Sequence, residues 1–416
     1  MRPLQPVRGT HDIVGEDGRR HAHVVATARA IARRYGCVDI ATPIFEFTPV
    51  FARTMGESSD VVRKEMYTFT DRGGDEITLR PEYTAGICRA AISGGMQQHL
   101  PLKFFAHGPM FRYERPQKGR QRQFHQIDAE IIGVAEPQAD IEVIALGADI
   151  LAALGVLDKC TLELNTLGDP ESRHAYRDAL VAYFNDFRAK LSDDSRDRLA
   201  RNPLRILDAK DPGDRAIVVD APLMQDYLNA RSADFFAAVL AGLDALGVAY
   251  HRNERLVRGL DYYTHTAFEF VTGALGAQGA VIAGGRYDGL IEMLGGPPTP
   301  GIGWAGGIER LAMLADDPGE PVRPIAIVPV GEAAARVALK LAHDLRQAGF
   351  HVEHGYRGKV GQRLKRADRL RACAALLLGD DELARDAVTL RDLDSGEQSE
   401  IPMADLVARL DAYRQT

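Results

Sequence analysis

The stretch from Lys103 to Val134, KFFAHGPMFRYERPQKGRQRQFHQIDAEIIGV, constrains this chain more than any other. Two extended runs flank a polar, basic loop, a pattern that predicts a long β-hairpin. Residues two apart on a strand share a face. Arg112 and Glu114 therefore point one way in the first run, and Phe124, Gln126, Asp128 and Glu130 share a face in the second. A face built of Gln, Asp and Glu is not ordinary core, because buried carboxylates need partners. The opposite face carries Ile127, Ala129 and Ile131 and can pack inward. The loop holds Arg115, Lys118, Arg120 and Arg122, and from Arg112 to Arg122 five bases stand against one acid, Glu114. Carboxylates at the base of a hairpin and guanidiniums at its tip suit a substrate with a cationic end and a polyphosphate or nucleic-acid end. The hairpin alone leaves a second reading open, an edge ribbon with a solvated polar face.

The rest of the composition narrows the class. At 416 residues, 45% hydrophobic and 26% charged, the chain is that of a soluble globular protein with two or three domains. The opening MRPLQPVRGTHDIVGED has no apolar core of a signal peptide, and no run approaches a membrane span. Cys37, Cys88, Cys160 and Cys373 are far apart and form no C-x-x-C. That argues against structural zinc and disulfides, and it fits a reducing cytoplasm. With 51 bases against 58 acids the net charge is −7. Such a chain is not a general nucleic-acid binder, so any such binding must use local basic patches.

Taken in order, residues 18–35 predict an amphipathic helix with Val24, Ala28, Ile31, Ala32 and Tyr35 on one stripe and Gly36 as its stop. CVDIATPIFEFTPVF predicts an edge strand interrupted by Pro43. Gly73-Gly74 predicts a hairpin turn. The strand ITLR then meets Pro81 and a helix starts near Thr84, which puts Glu82 and Thr84 at a strand-to-helix corner. Such corners often carry substrate sites, although Thr84 also suits a plain N-cap. Residues 138–155 predict a helix, TLELNTLGD a strand and turn, and 171–245 a charged helical region without visible chemistry. In RNERLVRGLDYYTHTAFEFVTG, Tyr262 and Tyr263 are adjacent; on a strand only one of them packs inward. AVIAGGRYDGLI predicts a strand, a tight Gly284-Gly285 turn and a helix start.

PGIGWAGGIERLAML satisfies G-x-G-x-x-G through Gly301, Gly303 and Gly306. A dinucleotide fold needs a buried parallel strand before that fingerprint, and GGPPTP is a poor one. The alternative is a small-residue strand on which a nucleotide lies flat, running into a helix with Glu309 and Arg310. Residues 315–324, ADDPGEPVRP, form a linker. Beyond it strands alternate with helices, a βαβαβ-type pattern that predicts an open mixed α/β sheet. From His351 to Arg371 seven bases stand against two acids, a candidate RNA-binding face on an acidic chain, or else a solvated helix face.

These stretches resemble one family. FRYERPQKGRQRQFHQIDAEIIG is similar to motif 2 of the histidyl-tRNA synthetases, which are class II aminoacyl-tRNA synthetases. RPEYT resembles the family's R-P-E-x-T corner, and LVRGLDYYT and AVIAGGRYDGLI resemble its two histidine-specific stretches. GIGWAGGIERL resembles motif 3, and CVDIATPIFEFTPVF resembles motif 1, which builds the dimer interface. The matches follow the family's order over nearly the whole chain. The implied fold is an α+β catalytic domain, residues 1–322, on a mainly antiparallel sheet of the class II synthetase type, with a helical insertion at about 170–225 that touches the tRNA acceptor arm. A C-terminal α/β mixed-sheet anticodon-binding domain, residues 323–416, completes it.

The resemblance also implies a reaction and its residues. ATP activates L-histidine to histidyl-adenylate, and the histidyl group passes to the 3′ end of tRNA(His) with release of AMP and pyrophosphate. Arg112 and Arg258 flank the α-phosphate and the substrate carboxylate as the catalytic pair. Glu82, Thr84 and Gln126 bind the α-ammonium. Glu130 and Tyr263 meet the two imidazole nitrogens, with Tyr262 beside them. Glu114 and Phe124 hold the adenine, Arg120 and Arg310 the outer phosphates, and Arg115 and Gln117 the tRNA acceptor end. Mg²⁺ accompanies ATP and is held mainly by phosphates, with no protein metal site expected. The implied protein is a cytoplasmic homodimer without membrane contact. Asp128 is left without a role. One rival is a catalytically silent, synthetase-like regulatory subunit of histidine biosynthesis; such subunits usually lack the anticodon domain and much of LVRGLDYYT. Another is a class II enzyme for prolyl, threonyl or glycyl transfer, against which Glu130 and Tyr263 argue.

Overall fold

The computed structural model describes residues 3–56, 61–117, 119–257, 262–276 and 279–414. The chain divides into two compact units, Met1–Pro318 and Gly319–Thr416. In chain order the first unit has strands β1 (Val38–Asp39), β2 (Phe45–Phe47), β3 (Tyr67–Thr70), β4 (Glu76–Leu79), β5 (Leu102–Phe111), β6 (Gln123–Ile132), β7 (Thr161–Thr166), β8 (His251–Arg252), β9 (Thr264–Val271), β10 (Ala280–Arg286) and β11 (Gly301–Gly307). The second has β12 (Ile325–Pro329), β13 (Val352–His354), β14 (Ala374–Leu378), β15 (Ala387–Asp392) and β16 (Gln398–Pro402).

Eight strands of the first unit form one sheet in the order β1-β5-β6-β11-β10-β9-β7-β8. Only the outermost pairs, β1 with β5 and β7 with β8, run parallel. The β5–β6 hairpin lies near the centre, in register from Leu102 opposite Ile132 to Phe111 opposite Gln123. The alternation expected along β6 decides its two faces. Ile127, Ala129 and Ile131 join Phe268, Phe270, Ile302 and Trp304 in the main core. Helices Gly15–Arg34, Gln138–Ala153 and Ala230–Leu246 supply the other side of that core. The first of these buries Val24, Ala28, Ile31 and Ala32, the stripe read from the sequence, and Gly36 takes the positive φ of a stop. A fully buried ion pair, Arg286 with Asp140, ties β10 to helix Gln138–Ala153.

The segment read as a single motif 1 strand divides. Val38–Asp39 edges the large sheet, whereas Phe45–Phe47 edges a separate sheet of order β2-β4-β3. Pro49 then opens helix Pro49–Met55, since a proline at the first helical turn gives up a donor that has no partner there anyway. The expected Gly284-Gly285 turn is also corrected: both glycines lie inside β10. A Cβ on Gly284 would stand 2.2 Å from the Gly303 carbonyl, so close strand approach, not a turn, demands the glycine.

Between β7 and β8, helices Pro170–Asp186, Asp193–Arg201 and Pro212–Val218 gather around their own cluster of Tyr176, Leu180, Phe184, Leu199 and Ile206. The second unit is a mixed sheet in the order β13-β12-β14-β15-β16, parallel through β14 and antiparallel beyond. Helix Glu332–Gln347 packs Ala334, Ala338, Ala342 and Leu345 into its core. In the basic stretch, Arg366 pairs with Glu353 and Arg371 with Glu320, while Lys365 and Arg369 stay exposed on helix Val360–Arg369.

Candidate active site

The face of β6 opposite the core turns toward a cavity. Register places Gln126 opposite Gly307, Asp128 opposite Ala305 and Glu130 opposite Gly303 on β11. Ala283 and Gly285 continue that face onto β10, and Gly108 and Ala106 onto β5. Small residues thus flank a row of Gln, Asp and Glu, leaving a flat floor. Gly303 has no alternative, because a Cβ there would stand 1.6 Å from Oε2 of Glu130. Gly303→Ala is therefore expected to cost about 1–3 kcal/mol of stability through overpacking. A lowered urea midpoint at unchanged slope would read it out, and a wild-type midpoint would mean that Glu130 can swing away.

Glu130 is buried, and both its oxygens are engaged. The Thr84 hydroxyl donates to Oε1 at 2.6 Å, and the Tyr287 hydroxyl donates to Oε2. Burial pushes its carboxyl up to about 8, with nearby Glu82 adding to the rise and the two hydroxyls opposing it. In its ionised form the carboxylate has about four acceptor positions, so two remain beyond Thr84 and Tyr287. Glu82 lies at the expected corner, just before helix Thr84–Ser93. Its Oε1 accepts from the Ala85 amide at 3.0 Å, and burial raises its pKa. Thr84 thus spends its hydroxyl on Glu130, and Glu82 closes the helix start in its place.

The residues expected to face a nucleotide gather in the same cavity. Arg112, Glu114, Arg120, Phe124 and Arg310 line the same cavity as Glu82, Thr84, Gln126, Tyr262 and Tyr263. Arg112 donates from Nε to the Pro81 carbonyl at 2.9 Å, and its guanidinium sits 5.1 Å from the centre of the Phe124 ring. Arg120 and Glu114 form an ion pair at 2.9 Å. Arg310 reaches the carbonyls of Gly119 and Ala280, and burial beside Arg120 lowers its pKa. Arg115 and Gln117 are exposed in the hairpin loop. Arg258, Asp261 and Lys118 lie outside the described residues.

The tyrosine pair departs from its expectation. Tyr262 and Tyr263 precede β9, are both buried, and both reach the cavity with ring centres 4.5 Å apart. Strand alternation therefore does not separate them. The hydroxyl that meets Glu130 belongs to Tyr287, in the quoted AVIAGGRYDGLI stretch but not among the residues singled out there. His125 was also missed. Its backbone amide donates to both oxygens of Glu309 at 3.0 Å, and its Nδ1 lies 2.8 Å from Oε1. This braces β6 to helix Ile308–Leu314, with the His21 ring edge-on to His125. Ligand atoms of His21, His125 and Glu309 all lie within 4.8 Å of one another. The signal for the brace was a His and a Glu in separate motifs, which local pattern does not connect.

Comparison with known proteins places this geometry. The histidyl-tRNA synthetase family model matches residues 9–169 and 190–311, and the anticodon binding domain model matches 324–413. The histidine–tRNA ligase of Rhodospirillum rubrum is 61% identical over 406 residues, 97% of this chain and 98% of its own. The chain belongs to the histidyl-tRNA synthetase family. The histidine–tRNA ligase of Gluconacetobacter diazotrophicus is 59% identical over 403 residues, 97% of each chain. The crystal structure of apo Staphylococcus aureus histidyl-tRNA synthetase superposes with a TM-score of 0.82 at 36% identity, covering 98% of this chain and 99% of that one. The α+β catalytic fold with its mainly antiparallel sheet and the mixed-sheet C-terminal domain are therefore those of a class II histidyl-tRNA synthetase. The regulatory-subunit alternative is not favoured by relatives of this identity and coverage.

Proposed function

We propose how this chain, a histidine–tRNA ligase, divides its reaction among the residues gathered on the sheet. L-histidine lies with its imidazole toward Glu130 and Tyr263 and its ammonium toward Glu82, Thr84 and Gln126, with Tyr262 packed beside it. Glu130 suits an imidazole because the neutral ring offers one donor and one acceptor. A carboxyl raised to about 8 is able to share a proton with the ring near neutral pH, which no aliphatic or phenyl side chain permits. Arg112 and Arg258 flank the histidine carboxylate and the α-phosphate of ATP. Phe124 and Glu114 hold the adenine, and Arg120 and Arg310 meet the outer phosphates.

In the first step a carboxylate oxygen of histidine attacks the α-phosphorus, and pyrophosphate leaves. In the second, a hydroxyl of the terminal ribose of tRNA(His) attacks the adenylate carbonyl, and AMP leaves. The protein's part is alignment and compensation of negative charge on phosphorus. Mg²⁺ bound with ATP supplies further charge neutralisation on the phosphates. The cavity fits a metal that arrives with its nucleotide, since its carboxylates Glu114 and Glu309 are already paired with Arg120 and His125. Arg115 and Gln117 receive the acceptor end.

The domains follow this division: catalytic residues 1–322 with the helical insertion at about 170–225, and the anticodon-binding domain at 323–416. The separate hydrophobic cluster of the inserted helices and the independent core of the C-terminal sheet support these limits. A homodimer is supported by exposed Val38, Ile44, Phe45, Phe47 and Phe69 around β1 and the small sheet. A cytoplasmic location suits four free cysteines. Among the described residues no helix is long and apolar enough to cross a membrane.

One observation carries this reading: a single cavity lined by Glu82 and Gln126 together with the guanidiniums of Arg112, Arg120 and Arg310, with the buried carboxyl of Glu130 beside Thr84. Amino-acid-dependent pyrophosphate exchange with all twenty amino acids tests it. Histidine is expected to exceed every other by on the order of 10⁴-fold, because a site built to bond two ring nitrogens leaves them unpaired against any other side chain. Comparable exchange with a second amino acid, or none with histidine, would overturn it.

A further inference from the structure

The row Gln126, Asp128, Glu130 contains one acid that the reaction above does not use. Asp128 is 1% exposed, on the ligand-facing side of β6, between Ala106 and Ala305. Neither of its carboxylate oxygens has a hydrogen-bond partner among the described residues. Its neighbour Gln126 likewise has an unpartnered buried Oε1. A buried carboxylate without a donor is costly, and a native chain keeps one where a ligand supplies the donor. The charged groups around Asp128 are Glu82, Glu130, Arg80 and Arg112. Neither arginine hydrogen-bonds to it. Arg80 donates to the carbonyls of Thr42 and Pro109 and lies over the Tyr83 ring, and Arg112 donates to Pro81. Burial and the two like charges raise Asp128 well above the ordinary carboxylate range.

We propose that Asp128 is a substrate-binding residue that accepts a hydrogen bond from the α-ammonium of L-histidine, completing with Glu82 and Gln126 one acceptor for each of its three N–H groups, while Thr84, near the ammonium, keeps its hydroxyl on Glu130. The inference rests on the reading that Glu82 and Gln126 face the ammonium. It adds a second carboxylate to that end and gives the orphaned oxygens of Gln126 and Asp128 a common donor. A primary ammonium has three donors and no acceptor, so it satisfies three acceptors at once without leaving one of its own groups unpaired.

The test compares L-histidine with its des-amino analogue, 3-(imidazol-4-yl)propionate, used as an inhibitor of histidine-dependent pyrophosphate exchange. Asp128→Asn, nearly isosteric, is expected to raise KM for histidine about 10- to 100-fold, the loss of a charge-assisted hydrogen bond. It should leave the inhibition constant of the analogue and the KM for ATP within about twofold, since neither ligand engages that bond. The unfolding midpoint of the empty enzyme should hold or rise, because an unpaired acid has been removed. Asp128→Ala is run in parallel, so that a folding defect particular to one side chain does not decide the outcome. An unchanged KM for histidine overturns the proposal. So do equal losses for histidine and analogue, or a lowered midpoint with unchanged KM, which would mark a structural acid. Glu82→Gln separates this from the underlying reading. If Glu82→Gln spares the analogue but hurts histidine while Asp128→Asn leaves both unchanged, only the role of Asp128 falls. If neither variant distinguishes the two ligands, the ammonium assignment itself falls.

Discussion

Arg258→Ala is expected to lower histidine-dependent pyrophosphate exchange by about 10²–10³-fold, the loss seen when one preorganised charge-stabilising group is removed. Arg258 lies outside the described residues, so its role rests on the LVRGLDYYT stretch and on charge. Negative charge grows on the α-phosphoryl group as the histidine carboxylate approaches it. Of the guanidiniums that line the cavity, that of Arg112 is fixed to the Pro81 carbonyl, beside Glu82, whereas Arg120 pairs with Glu114 and Arg310 reaches the Gly119 and Ala280 carbonyls. Holding two anionic groups together asks for a second besides that of Arg112. The loss should appear in kcat with a smaller change in the dissociation constant of histidine, because the interaction strengthens in the transition state. Exchange within twofold of wild type would remove Arg258 from the reacting centre.

Glu130→Gln carries the second large effect. The variant keeps one acceptor but presents an amide N–H where the carboxylate accepted from Thr84 or Tyr287. Two donors then face each other in a buried site, or the amide turns and denies the ring its partner. With histidine bound and the proton shared between ring and carboxyl, losing this charge-assisted hydrogen bond costs up to about 3 kcal/mol, near 10²-fold in kcat/KM for histidine. The preference for histidine over other amino acids should fall by a similar factor, and unchanged discrimination would place the imidazole elsewhere. Stability supplies an independent readout. Burial in the folded chain pushes Glu130 up to about 8 from an ordinary 4.5, so the folded chain holds that proton more tightly than the unfolded chain does. Its contribution to stability is full below pH 4.5 and is lost as pH rises toward 8. Glu130→Gln should make the decline over that window shallower. A slope identical to wild type would mean that Glu130 does not hold a proton there.

The brace between His125 and Glu309 bears on both effects. It fixes the mouth of β6, the strand that also carries Gln126, Asp128 and Glu130, to the helix that carries Arg310. The strand that carries Gln126 and Glu130 is thus tied to the helix that carries Arg310, which suits a reaction that depends on alignment.

The sequence by itself determined what depends on local period. Alternation along residues 123–132 separated Ile127, Ala129 and Ile131 from Gln126, Asp128 and Glu130, because a register slip would exchange the two faces and bury the acids in the core. The helix stripe at Val24–Ala32 was legible for the same reason, and so was the small-residue strand running into Glu309 and Arg310. Tertiary structure alone decided the rest. β16, polar and mostly exposed, is a strand because β15 offers it a ladder, not because of any apolar pattern of its own. Gly284 and Gly285 sit inside a strand because neighbouring backbones and Tyr263 crowd them, a constraint invisible in a Gly-Gly dipeptide. Tyr287 reaches Glu130 from 157 positions away, and Glu309 reaches His125 from 184. Local pattern reports which residues share a face; only the folded sheet brings distant side chains within hydrogen-bonding distance.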